Sequence, residues 1–147
     1  MIQKPKYFRL EELVPQSLFF AHKDNLDRLW WCIDIRVTWT ANKLRMRYGK
    51  MIANSWLWGG QCQERGLRLL GTKTGAILSQ HKFGRALDLW PTSITAKEIR
   101  QDILTHPDLD EFKFIRAIEE GTAHLHFDVR NWIGPILVVK QPQQGVS

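Results

Sequence analysis

The sequence predicts an α+β domain, a small and mainly antiparallel sheet with flanking helices. Three observations predict it. An early stretch repeats apolar residues every three or four positions, the period of a helix buried along one side. Later apolar segments are short, and several are bounded by Gly, Pro or Asp, as strands are. Helical and strand-like segments are segregated rather than regularly alternated. With 147 residues, 44% of them apolar and 24% charged, the chain has the size and composition of one domain whose core needs no disulfides. One unit over residues 1–147 is expected, without repeat or linker.

Taken in order, residues 7–20 read as a short helix or turn-rich lead-in broken at Pro15. A long helix is expected from Asp24 to about Arg47. Leu26, Leu29, Trp30, Ile33, Val37 and Leu44 form its apolar face, Asp24 is its N-cap and Gly49 its stop. Residues 51–55 read as a short strand. Residues 58–78, rich in glycine and polar side chains, form a long irregular loop of the kind that carries function. A strand over 84–90 ends at Pro91. Thr95 and Glu98 fit a capping box that opens a helix running to about Leu104. A turn at 107–110 precedes strands at 112–118, 123–130 and 136–139, and the tail 141–147 is expected to be disordered.

Composition narrows the function classes. Lys and Arg exceed Asp and Glu to give +6, which draws a protein toward polyanions such as nucleic acid, teichoic acid or acidic lipid. The charges are scattered, however. The densest cluster, Lys43, Arg45, Arg47 and Lys50, reads as a solvated helix face. No nucleic-acid-binding motif is present, so no nucleic-acid partner is expected. No segment approaches the ~20 apolar residues of a membrane span. The N-terminal residues lack the pattern of a secretory signal, so cytoplasmic synthesis without a signal peptide is expected. Cys32 and Cys62 are expected to be free thiols. The sequence leaves the oligomeric state open.

Chemistry concentrates in two segments. In the second, His124-Leu125-His126-Phe127-Asp128, strand alternation projects His124, His126 and Asp128 to one side. Leu125, Phe127 and Val129 then pack on the other. Alone, this is also the pattern of a polar solvent face. The first segment, Ser79-Gln80-His81-Lys82-Phe83-Gly84-Arg85-Ala86-Leu87-Asp88, adds a carboxylate in an apolar strand. Burying it unpaired is costly, and a cation removes that cost. Pairing with an arginine such as Arg85 is the alternative. Gly84 lets the backbone turn between His81 and Asp88, and Ala86 leaves room beside them. His81, Asp88 and His126 together make a ligand set that leaves a fourth tetrahedral position open, the pattern of catalytic zinc.

The first segment resembles the S-x-H-x-x-G-x-A-x-D signature of the zinc D-Ala-D-Ala peptidases. HLHFD resembles the His-x-His element of the wider group that joins those enzymes to lysostaphin-type and hedgehog-type domains. The likeness extends from YFRLEEL through NSWLWGGQ to HFDVR and is similar to short bacteriophage peptidoglycan peptidases. The resemblance implies a hedgehog/D-Ala-D-Ala-peptidase-like fold and a Zn2+ ion on His81, Asp88 and His126. It implies that Ser79 lies near substrate or a ligand, and that His124 steadies the oxyanion or the water. An arginine often assists, and Arg65 and Arg68 are candidates, with Arg65 expected to bind substrate. Many relatives carry an acid three residues before the last histidine, where this chain has Ala123. The general base then falls to Glu119, favoured, or to Glu120. If both are merely solvated, the site binds zinc and hydrolyses poorly.

The expected function is hydrolysis of peptide bonds in bacterial peptidoglycan, at a peptide stem or cross-link. The enzyme would be an endopeptidase or a D-Ala-D-Ala carboxypeptidase acting on the cell wall as a phage endolysin or virion lysin. The other reading is a zinc-containing virion structural or binding protein of the same fold, weak or inactive in catalysis.

Overall fold

The structure, a computed structural model, describes residues 1–141. Apart from Gln141, the tail expected to be disordered lies outside the described residues. Pro15 starts a helix rather than ending one. It is the N-cap of α1 (Gln16–Ala21), after a single 3-10 turn at Leu10–Glu12.

The long helix expected over 24–47 is two helices, α2 (Asp27–Trp31) and α3 (Ile35–Tyr48). Asp34 causes the break. Its carboxylate accepts from the backbone N–H of Arg36 at 2.9 Å, capping α3, while its own N–H donates to the carbonyl of Gly84 at 2.9 Å. A short acceptor side chain offers the backbone this alternative to helix continuation. Gly49, left-handed at φ 86°, ends α3 as expected. α4 (Ala96–Thr105) opens on the predicted capping box. The Glu98 N–H donates to Thr95 Oγ1 at 3.1 Å, and the Thr95 N–H to Glu98 at 2.9 Å.

Five strands form one mostly antiparallel sheet: β1 (Met51–Ile52), β2 (Ala86–Pro91), β3 (Ala117–Glu120), β4 (Leu125–Asp128) and β5 (Leu137–Lys140). Their order is β1-β2-β4-β3-β5, and only the β3–β5 pair is parallel. The fold class is thus the predicted one. The third expected strand is displaced. Phe112 and Ile115 are buried in turns around a 3-10 segment at Asp110–Phe112, and the strand proper begins at Ala117.

The sheet's two faces divide the labour. Leu87, Leu89, Ile118, Leu125 and Phe127 fill one face and pack with Val37, Ala41 and Leu44 of α3 and Ala96, Ile99 and Ile103 of α4. Each of these is essentially water-free, so this layer supplies most of the hydrophobic driving force. The opposite face carries Asp88, Glu119, His126 and Asp128, bordered by residues 59–79, which form no helix or strand. No helix among the described residues is long and apolar enough to cross a membrane.

Candidate metal centre

Strand pairing assembles the site. β2 runs antiparallel to β4 with Asp88 directly opposite His126 and Ala86 opposite Asp128. Side chains at paired positions share a face, so the carboxylate and the imidazole meet, and Asp88 Oδ1 lies 2.8 Å from His126 Nδ1. Ala86 makes its room opposite Asp128, one pair removed from the expected place beside the metal ligands.

His81 arrives from a 3-10 turn, Gln80–Phe83, closed by Gly84 in the left-handed conformation at φ 69°. Gly84 meets a second requirement. A Cβ there would sit 1.7 Å from the carbonyl oxygen of Cys32 at the break between α2 and α3. The motif loop therefore docks backbone to backbone, and only glycine fits. From this turn His81 Nε2 lies 3.2 Å from Asp88 Oδ1 and 3.3 Å from His126 Nδ1.

Both imidazoles are oriented by the nitrogen that faces away. The Gly66 carbonyl, 2.8 Å from His81 Nδ1, can only accept, which puts the proton on Nδ1 and leaves the Nε2 lone pair free. Asp128 accepts from His126 Nε2 at 3.1 Å and so turns the Nδ1 lone pair inward. Asp128 is fully buried and held by two bonds from Arg130, at 2.7 and 2.6 Å. A carboxylate behind a ligating histidine fixes its tautomer and raises its basicity.

Electrostatics agree with a cation site. Burial opposes the charge on Asp88, but the two imidazoles beside it, His126 and His81, hold its carboxyl well below the usual carboxylate range. Burial also opposes charge on His126, yet Asp128 and Asp88 push its pKa up to about 9. The ligand atoms of His81, Asp88 and His126 lie within 4.8 Å of one another, and the group can hold a metal ion.

Around the trio lies a cavity of about 680 Å³ lined also by Ser79, Arg68, Glu119 and His124. Ser79 borders it. His124 Nε2 stands 3.7 Å from Asp88 Oδ1, and burial lowers the pKa of its imidazole, favouring the neutral form. Its ring packs against Trp90 at 4.9 Å, and Trp90 in turn carries the Arg65 guanidinium at 4.3 Å. Of the two candidate bases, Glu119 joins the site, with Oε2 3.8 Å from His126 Nδ1. Glu120, next along β3, is exposed, faces away and does not line the cavity.

Arg65 lines a second hollow next to the first, together with Arg68 and Asp88. Its guanidinium donates to the Ala53 carbonyl at 2.8 Å and stacks on Trp90, and it does not line the metal cavity. Arg68 takes that position, 3.3 Å from Asp88 Oδ2 and anchored by the Glu64 carbonyl at 2.6 Å. The second hollow, of about 510 Å³, lies beyond Arg68, and Arg68, Thr74 and Asp88 line both. The cleft therefore extends to two sides of the metal residues.

Sequence reasoning missed two arginines. Arg130 secures Asp128. Arg100 of α4, only 9% exposed, donates to the Thr122 carbonyl at 3.0 Å and the His124 carbonyl at 3.1 Å, pinning the turn that presents His124. Its signal was present: Ala96, Ile99, Arg100 and Ile103 share the buried face of α4 at helical spacing. Cys32 and Cys62 are free, as expected. Compared with protein-family models, curated proteins and solved structures, the chain matches none.

Proposed function

We propose that the chain is a zinc peptidase that hydrolyses peptide bonds in bacterial peptidoglycan. The observation that carries this reading is the convergence of His81 Nε2, Asp88 Oδ1 and His126 Nδ1 beside a carboxylate, Glu119, in an open cleft. The hedgehog/D-Ala-D-Ala-peptidase-like fold is part of the same proposal, supported by the two sequence segments meeting across β2 and β4.

His81, Asp88 and His126 would hold the ion. When bound, zinc lowers the pKa of water and polarises a carbonyl. Glu119, 3.8 Å from His126, would take the proton from the attacking water and return it to the leaving amine. His124, neutral and steadied by Trp90 and by Arg100 through its own carbonyl, would donate to the oxygen that gains charge. Arg68 limits the negative charge of Asp88 and can meet a substrate carbonyl or carboxylate. Ser79 would bond the bound peptide. A cleft running to both sides of the ion suits a bond within a stem or cross-link better than a chain end, which favours an endopeptidase over a carboxypeptidase.

A second reading has one observation in its favour. Ala123 leaves the position three before His126 without an acid, which suits a zinc-holding binding or virion protein lacking turnover. Glu119, beside His126, weighs against it. Digestion of purified peptidoglycan by the zinc-loaded protein, with mass measurement of soluble products, separates the two. The peptidase reading predicts muropeptides with new amino termini, lost in His81→Ala. Retained zinc with no new terminus would favour the binding protein.

A further inference from the structure

Two members of the basic cluster, Arg45 of α3 and Lys50 just beyond it, belong to a concave site away from the candidate metal centre. A hollow of about 480 Å³ lies beside β1, the sheet edge opposite β5, and shares no lining residue with the metal cavity. Lys6, Arg9, Arg45 and Lys50 line it, together with the aromatic rings of Tyr7 and Trp58. Its volume falls within the roughly 300–1,000 Å³ of small-ligand sites.

Glu12 is the one carboxylate in the lining, set against four cations. It is buried and already accepts from the Arg9 N–H at 2.8 Å. Among the described residues none of the four cations forms an ion pair. Four cations around one hollow, with the buried Glu12 beside Arg9 and Arg45 as the single carboxylate, leave a net positive field suited to an anion.

The rings specify more than charge. Tyr7 is already flanked by Arg45, 5.6 Å from its centroid, and by Lys6 at 5.3 Å. Trp58 is 60% exposed, held on a 3-10 turn that ends at the left-handed Gly59, and its ring is open. Single-stranded nucleic acid is bound by successive open rings on which bases stack. One open indole beside several cations instead fits a unit with one apolar ring face and phosphates on either side.

We propose that this hollow binds a hexose-substituted polyol phosphate, a phosphodiester glycopolymer, with Trp58 against the sugar face and Lys6, Arg9, Arg45 and Lys50 on the phosphates. Such a site holds the protein to an anionic surface without taking part in hydrolysis. Its success or failure is independent of the peptidase reading, because it is read by binding and not by turnover.

The test is titration of the full-length, zinc-loaded protein with glucosylated poly(glycerol phosphate), following tryptophan fluorescence across a salt series. Unsubstituted poly(glycerol phosphate) and oligo-dT serve as comparison probes. Saturable binding is expected, at least tenfold tighter for the glucosylated polymer than for either comparison. Arg45→Ala with Lys50→Ala should weaken it at least tenfold and flatten the salt dependence. Trp58→Ala should remove the preference for the sugar-bearing polymer. Lys97→Ala with Lys113→Ala, which removes two exposed lysines outside the hollow, should change affinity less than twofold. The proposal is overturned if oligo-dT binds as tightly or more tightly. It is equally overturned if the Lys97/Lys113 variant loses as much as the Arg45/Lys50 variant. Unchanged binding in Trp58→Ala and Arg45→Ala/Lys50→Ala, with native circular dichroism, also overturns it.

Discussion

Asp128→Asn is the sharpest perturbation of the centre that leaves all three ligands in place. In the wild type, Asp128 is buried, held by two Arg130 bonds, and accepts the His126 Nε2 proton at 3.1 Å. An asparagine amide there can present its NH₂ to Nε2, which moves the imidazole proton to Nδ1, the atom that faces Asp88 at 2.8 Å. The metal-facing lone pair is then blocked in that tautomer. Even in the correct one, His126 loses the negative charge behind it. Loss of such an orienting partner costs roughly 10- to 100-fold in metal affinity, about 1.4–2.7 kcal/mol. The assay is competition for zinc against a chromophoric chelator, with circular dichroism to show that the ion-free fold is intact. Arg130→Gln should lose less, because Asp128 keeps its charge. Zinc affinity within twofold of wild type in Asp128→Asn, with the fold intact, would refute the orienting role.

Four further outcomes are expected. Glu119→Gln should abolish peptidoglycan hydrolysis while zinc content is unchanged, whereas Glu120→Gln should retain near wild-type rates, both read by release of new amino termini. Gly84→Ala should destabilise the fold by roughly 3 kcal/mol in urea unfolding, since it combines a left-handed φ with a Cβ inside the Cys32 carbonyl. Arg100→Met should slow turnover more than tenfold with little change in zinc affinity, because the turn carrying His124 loses its bonds while β4 stays paired; equal losses of zinc and activity would contradict this. Asp34 is held below its ordinary carboxylate pKa by the Arg36 side chain. Its contribution should be complete above about pH 3.8, the ordinary value, and vanish as pH falls through the lower folded value. Asp34→Asn should therefore lower the thermal midpoint near neutral pH, and the gap to wild type should close in acid.

The parts of the site legible in the sequence are those set by local period. Strand alternation put His124, His126 and Asp128 on one face and Leu125, Phe127 and Val129 on the other, and the contacts agree. The capping box at Thr95 was equally local. What escaped depends on distant partners. Helical spacing runs unbroken through Trp30, Ile33 and Val37, yet the chain breaks at Asp34 because the Gly84 loop docks there. The segment 112–118 reported the burial of Phe112 and Ile115 correctly but started the strand too early, at 112 instead of Ala117, since a turn can bury those two side chains as well as a ladder can. Arg65 and Arg68, on the same irregular loop, differ in the partners that lie beside it, Ala53 and Trp90 for one and Asp88 for the other. No spacing rule distinguishes those.

X-ray absorption at the zinc edge of the loaded protein addresses the central claim most directly. One zinc per chain is predicted, with two imidazole nitrogens at about 2.0–2.1 Å, one carboxylate oxygen and one light-atom ligand displaced by a competing anion. An identical spectrum and stoichiometry in Asp88→Ala, or a zinc site closed by four protein ligands, would contradict it.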